Sequence, residues 1–385
     1  MRIVIAHFSS SWVDTSGGVE KTVCALSSAM VRRGHEVTVL YIERREGVPY
    51  FPLDSRVKTQ NLLYENGRQV VMEKLPFPLR VYRETARLFS QKRARNINAC
   101  YKGKLYGEQI RNWLADHQVD VILSVSPMSA KYLMMDGRCD VPVIEMTRED
   151  PYSGFPALSD VEKQAVRKAK WMQVLFPEDV EAAKQYFPNM PVTAIGNAVT
   201  AAEKLASPGT VKKCYKITNV GTVCSRKNQK LLVEAFSLLA EEYPDWSVDI
   251  WGWNGNYYGK ALQQYIDRNN LSSRIQLKGV TKNIADVYSG SDIFAYPSKS
   301  EGFPNGVLEA MAAGVPVIGL QKCHGTNYLL QNGKNGLLVE DTVEAFSQAL
   351  RKLMSEAALR EQMGGKDEAW RRNMPRSRFG INGKY

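Results

Sequence analysis

Short apolar runs alternate with longer amphipathic stretches along the chain, and this alternation predicts buried strands separated by helices. In the first half, "VEKTVCALSSAMVRRG" has Val19, Val23, Leu26 and Met30 at helical spacing and ends at Gly34, a helix-stop signal. The flanking apolar runs indicate strands on either side of this helix. A strand–helix–strand order of this kind predicts a parallel sheet with a right-handed crossover. The strands predicted in this half are RIVIAHF, HEVTVLYI, VDVILSVSP (119–127), VPVIEMT (141–147), WMQVLFP (171–177) and MPVTAIGNAV.

The second half has the same alternation of apolar runs and amphipathic stretches. Helices are predicted at NQKLLVEAFSLLAEEYP, GKALQQYIDRNNL, KNIADVYSGS, NGVLEAMAAG and GTNYLLQ, and in the charged tail from Thr342. Strands are predicted at CYKITNVGTV, WSVDIWGWNG, RIQLKGV, DIFAYPS, VPVIGL and NGLLV. We therefore expect an α/β protein with two open parallel sheets in tandem.

The length supports this division, because 385 residues exceed what one ordinary core accommodates. The stretch "TAAEKLASPGTVKK" is polar and rich in turn-forming residues, and it places the boundary near residues 195–212. We assign residues 1–195 to an N-terminal Rossmann-like domain and residues 196–365 to a C-terminal one.

Composition excludes several other classes of protein. Hydrophobic residues make up 44% and charged residues 24%, as in ordinary globular enzymes. No run of about 18 apolar residues predicts a transmembrane helix, and "MRIVIAHF" favours a first strand over a signal peptide. The six cysteines form no CxxC pair and histidine occurs four times, so we expect neither a metal cluster nor disulfides, and a reducing cytosol.

The net charge of +11 is concentrated in one place. Residues 68–111 contain eleven Lys and Arg against three acids, which gives that stretch a charge of +8. Within it, "LRVYRETARLFSQKRARNI" predicts one amphipathic helix with Tyr82, Ala86 and Phe89 on one side. Interleaved aromatic and basic residues suit a helix lying on an anionic membrane surface, where each basic residue contributes about 1 kcal/mol. Nucleic-acid binding and a merely solvated helix are the alternatives, but no nucleic-acid motif accompanies the stretch.

Two glutamates, Glu301 and Glu309, lie eight positions apart in "SKSEGFPNGVLEAMAAGVPVIG". Glu301 follows a predicted strand, and ligands of open parallel sheets bind beyond the carboxyl ends of the strands. The helix predicted to begin near Asn305 points its N-terminal N–H groups to the same place and favours an anion such as phosphate. The segment predicts a phosphate site flanked by two carboxylates that accept sugar hydroxyls. Spacing alone leaves open that Glu309 only complements the helix dipole and that Glu301 is solvated.

The same segment resembles the glutamate-x7-glutamate signature of the retaining GT-B glycosyltransferases of family 4 (glycosyltransferases group 1). Further resemblance lies in "SGGVEKTVCALSSAMVRRGHEVTVL", "NVGTVCSRKNQKLLVEAF", "RIQLKGVTKNIADVYSGSDIFAYPS" and "NGKNGLLV", which follow in the family's order. "VIEMTREDPY" resembles the transferases that build bacterial surface polysaccharides. The resemblance implies a GT-B fold, with two Rossmann-like domains facing across a cleft, and residues 366–385 returning to the first domain.

The resemblance also implies roles for individual residues. Glu301 would hold hydroxyls of the transferred sugar, Glu309 those of the ribose, and Lys227 would neutralise the leaving diphosphate. The further positions that it assigns to the donor are Gly302, Phe303, Pro304, Asn305, Gly306, Gly221, Thr222, Val280, Thr281, Gly17 and Gly18. The donor is a nucleotide sugar, which is a substrate, so no cofactor is expected. No D-x-D metal motif occurs, which favours a metal-independent transferase.

Two departures from the family's pattern affect the assignment. Thr222 stands where relatives carry arginine, and Arg226 is our candidate to supply the missing charge as a third catalytic residue. Ser124 and Ser126 stand where many relatives have a histidine.

Other polar residues follow predicted strand ends. In place of the missing histidine, we assign Arg148, Glu149 and Asp150 to the acceptor or the cleft. A solvated loop is the alternative. His7 is either structural or part of the site, and His324 and Thr326 lie on a loop that could reach the donor sugar.

We therefore predict a retaining hexosyltransferase that uses a nucleotide sugar, with UDP favoured. We expect its acceptor to be a lipid-linked glycan and its place to be the inner face of the cytoplasmic membrane of a bacterium, in polysaccharide or lipopolysaccharide synthesis. A sugar-nucleotide epimerase of related fold and a non-catalytic nucleotide-sugar-binding subunit are the alternatives.

Overall fold

The computed structural model describes residues 1–365 except 9, 66, 71–74, 200, 201 and 203. Internal contacts divide the chain into unit 1, Met1–Gly196, and unit 2, which begins at Asn197. The predicted C-terminal segment 366–385 lies outside the described residues, as do residues 71–74 of the basic stretch.

Unit 1 is built on a seven-stranded sheet in which every neighbouring pair of strands is parallel, in the order β3-β2-β1-β6-β7-β8-β9. Parallel sheets are covered on both faces, and two apolar clusters, one containing Val4 and Val143 and the other Ile5 and Ile3, cover this one. Its strands are β1 (Arg2–His7), β2 (Glu36–Tyr41), β3 (Lys58–Asn61), β6 (Val121–Ser124), β7 (Val143–Met146), β8 (Trp171–Val174) and β9 (Val192–Ala194).

The helices of unit 1 are more numerous than the sequence predicted. They are α1 (Gly18–Arg32), α2 (Phe77–Phe89), α3 (Gln91–Asp116), α4 (Pro127–Ala130), which continues into a π-helical segment (Lys131–Asp136), α5 (Pro151–Ala157), α6 (Asp160–Lys168) and α7 (Asp179–Tyr186). A hairpin of β4 (Tyr64–Glu65) and β5 (Arg68–Gln69) was also not predicted.

The single amphipathic helix predicted in the basic stretch is wrong, because the chain breaks at Ser90 into α2 and α3. The backbone of Ser90 is extended (φ −161°, ψ 111°). Its amide donates to the carbonyl of Ala86 at the end of α2, and its carbonyl accepts from the amide of Ala94 at the start of α3. Serine favours such boundaries because its side chain competes with the helix for backbone groups.

Helix α3 lies unusually close to the π-helical segment. Gly107 faces Asp136, and a Cβ at Gly107 would come within 2.4 Å of the carbonyl oxygen of Asp136. The buried Lys131 reinforces this contact, because its ammonium pairs with Asp136 at 2.6 Å and donates to the carbonyl of Ala99 on α3 at 2.8 Å. The glycine and the buried lysine therefore fix α3 against the body of unit 1.

Unit 2 has a six-stranded parallel sheet in the order β12-β11-β10-β13-β14-β15. This is the 3-2-1-4-5-6 strand order of Rossmann folds, with the reversal between β10 and β13. The strands are β10 (Tyr215–Val220), β11 (Trp246–Trp251), β12 (Ile275–Gly279), β13 (Ile293–Tyr296), β14 (Val317–Leu320) and β15 (Gly336–Val339).

The elements of unit 2 follow the predictions in order and type. Its helices are α8 (Gln229–Ser237), α9 (Tyr257–Arg268), α10 (Ile284–Ser289), α11 (Asn305–Ala312), α12 (His324–Leu329), α13 (Val343–Ser355) and α14 (Ala357–Gly364). The prediction of two Rossmann-like α/β units is confirmed. Within the part of the chain that the structure describes, no helix combines the length and apolarity needed to cross a bilayer.

Candidate donor site

The loops that follow β10 and β13 meet where the strand order of unit 2 reverses. Ligands of open α/β sheets bind at such switch points, beyond the carboxyl ends of the strands. The loop after β10 carries Thr222, Arg226 and Lys227, and the loop after β13 carries Glu301. The topology of unit 2 therefore brings together residues that are about 75 positions apart.

Two cations converge on one carboxylate oxygen. Lys227 Nζ lies 2.8 Å and Arg226 Nη1 lies 2.9 Å from Glu301 Oε1, and Ser298 Oγ donates to the same atom. Glu301 is 7% exposed, whereas the Arg226 side chain is half-exposed and also donates to the carbonyl of Ser300 at 2.6 Å. The cluster is thus preassembled and open to solvent on the arginine side.

The electrostatics keep this cluster charged. Burial alone would raise the pKa of Glu301, but the neighbouring charges of Lys227 and Arg226 outweigh it, so the pKa lies below its ordinary value. Desolvation would lower the pKa of Arg226, yet Glu301 raises it overall. Glu301 is therefore ionised at neutral pH, and the three groups together carry one net positive charge.

A buried tyrosine contacts the lysine of the cluster. Tyr296 ends β13, and its hydroxyl lies 2.5 Å from Lys227 Nζ. Burial first, and then the charge of Glu301, raise the pKa of Tyr296 well above its ordinary value, so the phenol stays neutral. Tyr296 thereby fixes the position of the ammonium relative to the carboxylate.

Glu309 lies one turn into α11, as predicted, and its orientation also depends on a tyrosine. The hydroxyl of the buried Tyr288 donates to Glu309 Oε2 at 3.0 Å. At the start of the helix, Asn197 Nδ2 donates to Asn305 Oδ1 at 3.1 Å. Both contacts come from side chains that the sequence patterns did not single out.

The turn between the two glutamates is tightly packed. Phe303 and Pro304 are buried, as are Gly302 and Glu301, while Gly306 is half-buried. The amide of Asn305 donates to the carbonyl of Phe303 at 2.9 Å, so this amide is engaged within the turn instead of facing a ligand. The donor contacts expected from the neighbouring amides stay a prediction.

The loop after β10 depends on the close approach of two glycines. Gly252 has φ +139°, and a Cβ there would lie 2.1 Å from the carbonyl oxygen of Gly221, so only glycine fits. The buried Gln229 ties the same loop together, because it donates to the carbonyl of Thr222 and accepts from the amide of Cys224. Thr222 therefore lies next to the cation cluster without supplying the charge that relatives place there.

Val280 and Thr281, predicted to contact the donor base, follow the end of β12. Val280 is 43% exposed, and the Thr281 hydroxyl accepts from the amide of Asn283 at 3.0 Å. An exposed apolar side chain at this edge of the sheet suits contact with a base, and the assignment stays a prediction.

In unit 1, Gly17 and Gly18 form the start of α1, above a buried polar network. His7 is fully buried, and its Nε2 lies 3.2 Å from Glu20 Oε1. Burial would raise the pKa of Glu20, but its bonds with His7 and Ser10 outweigh this and lower it. A Cβ at Gly17 would meet the Glu20 carboxylate, so the glycine loop packs on the same residue that His7 contacts.

The three residues assigned to the acceptor have different surroundings. Asp150 caps α5 by accepting from the amide of Tyr152 at 3.0 Å, and Glu149 is exposed. Arg148 lies beside the buried Glu145, a residue that the sequence patterns missed, and burial lowers its pKa to about 10. Burial raises the pKa of Glu145 to about 8, although Arg148 and Ser124 act against this. The cap explains Asp150 structurally, and an acceptor role for all three stays a prediction.

The short helix predicted at GTNYLLQ is α12, and it begins already at His324, so His324 and Thr326 lie on this helix and not on a loop. Thr326 is fully buried, and its hydroxyl donates to Cys323 Sγ at 3.3 Å. Its side chain is therefore not available to a sugar. Among the described residues, no group of three or more His, Cys, Asp or Glu is arranged to hold a metal ion.

The chain has two Rossmann-like units, and unit 2 carries the carboxylate–cation cluster, with Glu309 eight residues after Glu301. These features define a glycosyltransferase of the GT-B class. The sequence profile of Glycosyltransferase Family 4 matches residues 16–199, and that of Glycosyl transferases group 1 matches residues 201–370. The chain belongs to this family, which confirms the resemblance found in the sequence.

Several proteins are similar to the chain. An exopolysaccharide phosphotransferase of Streptomyces coelicolor is 24% identical over 93% of this chain and 38% of its own length. The Escherichia coli UDP-Gal:α-D-GlcNAc-diphosphoundecaprenol α-1,3-galactosyltransferase is 28% identical over 54% of this chain and 59% of its own. In both cases the match spans less than two thirds of the relative. A Staphylococcus aureus TarM mutant, solved with UDP, shares the fold with a TM-score of 0.74 at 13% identity, covering 98% of this chain and 97% of that one.

Proposed function

We propose that this protein is a retaining, metal-independent glycosyltransferase. It moves a hexose or N-acetylhexosamine from a UDP-sugar to a lipid-linked glycan acceptor in bacterial polysaccharide or lipopolysaccharide synthesis. The observation that carries the proposal is the convergence of Lys227 and Arg226 on Glu301 at the switch point of unit 2. Retention is supported by the family to which the chain belongs.

The chemistry follows from the charges in the cluster. When the bond between the sugar and the diphosphate breaks, negative charge develops on the leaving diphosphate. Lys227 and Arg226 are fixed cations placed to stabilise that charge, and removing such a group typically costs a factor of about 10²–10³ in rate. The two amino-acid cations take the place that a divalent ion has in other sugar transferases.

The two glutamates have separate tasks. Glu301 is ionised and can accept hydrogen bonds from hydroxyls of the transferred sugar, once these hydroxyls replace part of its contact with the cations. Glu309, held by Tyr288, can accept from the ribose hydroxyls. The UDP preference is supported by the similar TarM protein, whose structure contains UDP, and by the E. coli relative, whose name gives UDP-Gal as donor.

A thermal-shift screen against UDP, GDP, ADP, dTDP and their sugars, with and without EDTA, tests the donor assignment. A ligand at a hundred times its Kd stabilises the folded state by about 2.7 kcal/mol. We expect a shift with UDP compounds that EDTA leaves unchanged and that Glu309→Ala abolishes. Glu234→Ala, a substitution on α8 away from the site, serves as the matched control.

The other outcomes separate the alternatives. No shift with any nucleotide contradicts the proposal and favours a non-catalytic subunit with another ligand. Interconversion of UDP-sugars without release of UDP indicates an epimerase. A shift that needs a divalent ion contradicts metal independence.

We also propose that the protein contacts an anionic membrane, and the outer face of α2 supports this. Phe77, Leu88 and Phe89 are 73%, 82% and 86% exposed, and Val81 and Tyr82 continue the same apolar surface. Only Ala86 among the residues of α2 is classed as buried, and Arg80 and Arg87 flank the apolar surface in the helical projection. Exposed large apolar residues beside arginines are typical of helices that lie in a membrane interface.

Sedimentation with vesicles tests this surface. We expect the protein to bind vesicles containing anionic lipid at low salt and to lose binding as salt rises. The double variant Leu88→Ser, Phe89→Ser should lose binding, whereas Val211→Ser, Tyr257→Ser, which removes two equally exposed apolar residues from unit 2, should keep it. Equal binding by both doubles, or binding to nucleic acid instead of vesicles, contradicts the assignment of α2.

A further inference from the structure

A cavity of about 530 Å³ opens at the switch point of unit 1. The strand order of that sheet reverses between β1 and β6, and the loops after both strands line the cavity. Phe8 follows β1, Met128 follows β6, and Ile42 follows the neighbouring β2. Helix α3 forms the remaining wall. The cavity therefore lies in unit 1 at the place that corresponds to the donor site of unit 2.

Both apolar and polar side chains line the cavity. Two aromatic rings in its lining, Tyr106 and Tyr132, pack edge to face with centroids 5.0 Å apart. Its polar lining residues are Ser10, Ser11, Asn98 and Lys102. Ser10 Oγ donates to Glu20 Oε1 at 2.6 Å, which ties this rim to the network beneath the Gly17 loop. A lining that combines rings with hydroxyl, amide and ammonium groups suits a sugar that carries a charged substituent.

The charge in the cavity has one sign. Lys102 is half-buried, and the other charge that acts on its ammonium is Arg44, also positive. Desolvation first, and then Arg44, lower the pKa of Lys102, so the site favours an anion that would neutralise it. Among the described residues that line the cavity, none carries a carboxylate.

We propose that this cavity binds a phosphorylated sugar, the phosphate-bearing head of the acceptor, with Lys102 pairing the phosphoryl oxygens. The rings of Tyr106 and Tyr132 pack against the sugar, and the hydroxyls of Ser10 and Ser11 and the amide of Asn98 hydrogen-bond with it. This inference rests on the proposed transferase function and specifies its acceptor.

Helix α2 connects the cavity to the apolar surface described above. Arg83 of α2 donates from Nη1 to Asn98 Oδ1 at 3.2 Å, and Asn98 lines the cavity. A phosphorylated sugar on a lipid would place its head in the cavity and its chain along α2. The same arrangement favours a phosphodiester lipid over a free sugar phosphate.

Calorimetric titration of the full chain tests the site with three probes. They are N-acetylglucosamine 1-phosphate, its farnesyl ester, and methyl N-acetylglucosaminide, which lacks the phosphate. We expect the phosphate-free probe to bind at least about tenfold more weakly than the sugar phosphate, as loss of one charge-assisted bond implies. We expect the farnesyl ester to bind most tightly.

Variants of Lys102 separate a specific site from general attraction. Lys102→Met should reduce binding of the sugar phosphate about tenfold, and Lys102→Arg should restore most of it. Lys104→Met removes the same charge from an exposed position on the same helix and should change binding less than twofold. Equal losses of affinity for the sugar phosphate in Lys102→Met and Lys104→Met overturn the proposal. Equal affinity for the probes with and without phosphate also overturns it.

Two further results have distinct meanings. A farnesyl ester that binds more weakly than the free sugar phosphate overturns the lipid-linked acceptor. UDP binding, followed by thermal shift on the same preparation, tests the donor site independently. If UDP binds and the sugar phosphate does not, the cavity assignment fails and the transferase proposal stands. If UDP does not bind, the transferase proposal fails.

Discussion

The sheets of units 1 and 2 have the same strand order around their first strands, yet the loops at their switch points carry different chemistry. In unit 2 the loops bring an ionised carboxylate against two cations, with tyrosine hydroxyls behind them. In unit 1 they enclose a cavity lined by rings, hydroxyls and one lysine. The shared topology fixes where each site lies, and the composition of the loops decides what it can bind.

The largest effect that we predict separates the two sites by activity. Lys227→Met should lower the transfer rate by a factor of about 10²–10³, because the leaving diphosphate loses a fixed cation. Steady-state kinetics with a UDP-sugar measure this loss. Lys230→Met, an exposed lysine paired with Glu234, should leave the rate unchanged. If the Lys227 variant keeps full activity, the cluster does not stabilise the leaving group.

A smaller effect should come from the buried hydroxyl behind the cluster. Tyr296→Phe removes the bond to Lys227, and a hydrogen bond to a charged group contributes about 1.5–3 kcal/mol, or about 10–100-fold. We expect kcat to fall and the KM for the donor to change little, because the ring still fills the core. Tyr265→Phe, a half-buried tyrosine on α9, is the control. A rise in KM at constant kcat would show that Tyr296 acts on donor binding instead of on the cation.

Unit 1 can be disturbed without touching unit 2. Gly107→Ala places a Cβ 2.4 Å from the Asp136 carbonyl, and overpacking of this kind costs about 1–3 kcal/mol. Chemical denaturation should show this loss, while the affinity for UDP stays unchanged. Glu108→Ala, at the neighbouring exposed position, should be neutral. If Gly107→Ala lowers the affinity for UDP together with the stability, the two sites are not independent.

The most gradual predicted effect is a pH dependence confined to unit 1. The folded pKa of Glu145, about 8, lies above its ordinary value, so the folded state binds the extra proton between about pH 4.5 and pH 8. Stability must therefore fall as pH rises through that interval, by at most about 1.4 kcal/mol per pH unit. Denaturation midpoints from pH 5.5 to 8 should show the slope, and Glu145→Gln should flatten it. A slope that persists in the variant assigns the titration to another group.

The same contrast shows what the sequence could predict. The strands of both parallel sheets except β3 were predicted, because β-branched apolar runs are strong signals, whereas β3 (KTQN) is polar. The Glu301–Glu309 spacing directed attention to the segment that carries one side of the carboxylate–cation cluster. Tyr296 was missed because "DIFAYPS" has the pattern of a buried strand, in which a tyrosine is indistinguishable from a core residue. The cavity of unit 1 was missed because its lining comes from four separate segments with no common motif. The break at Ser90 was missed because a single serine does not disturb the helical spacing of the apolar residues around it. The break comes from the extended backbone of Ser90, which that spacing does not reveal.

The pairing of Glu301 with both Lys227 and Arg226 has a consequence for selectivity among anions. Inorganic phosphate and sulfate are abundant small anions that readily occupy bare pairs of lysine and arginine. Here each such anion competes with a carboxylate that is already bound to both cations, and it lacks the neighbouring sugar hydroxyls that could bind the displaced carboxylate. A ligand that carries sugar hydroxyls and phosphate together replaces both halves of the ion pair at once. The ion pair therefore favours ligands that carry sugar hydroxyls beside phosphate over inorganic phosphate and sulfate.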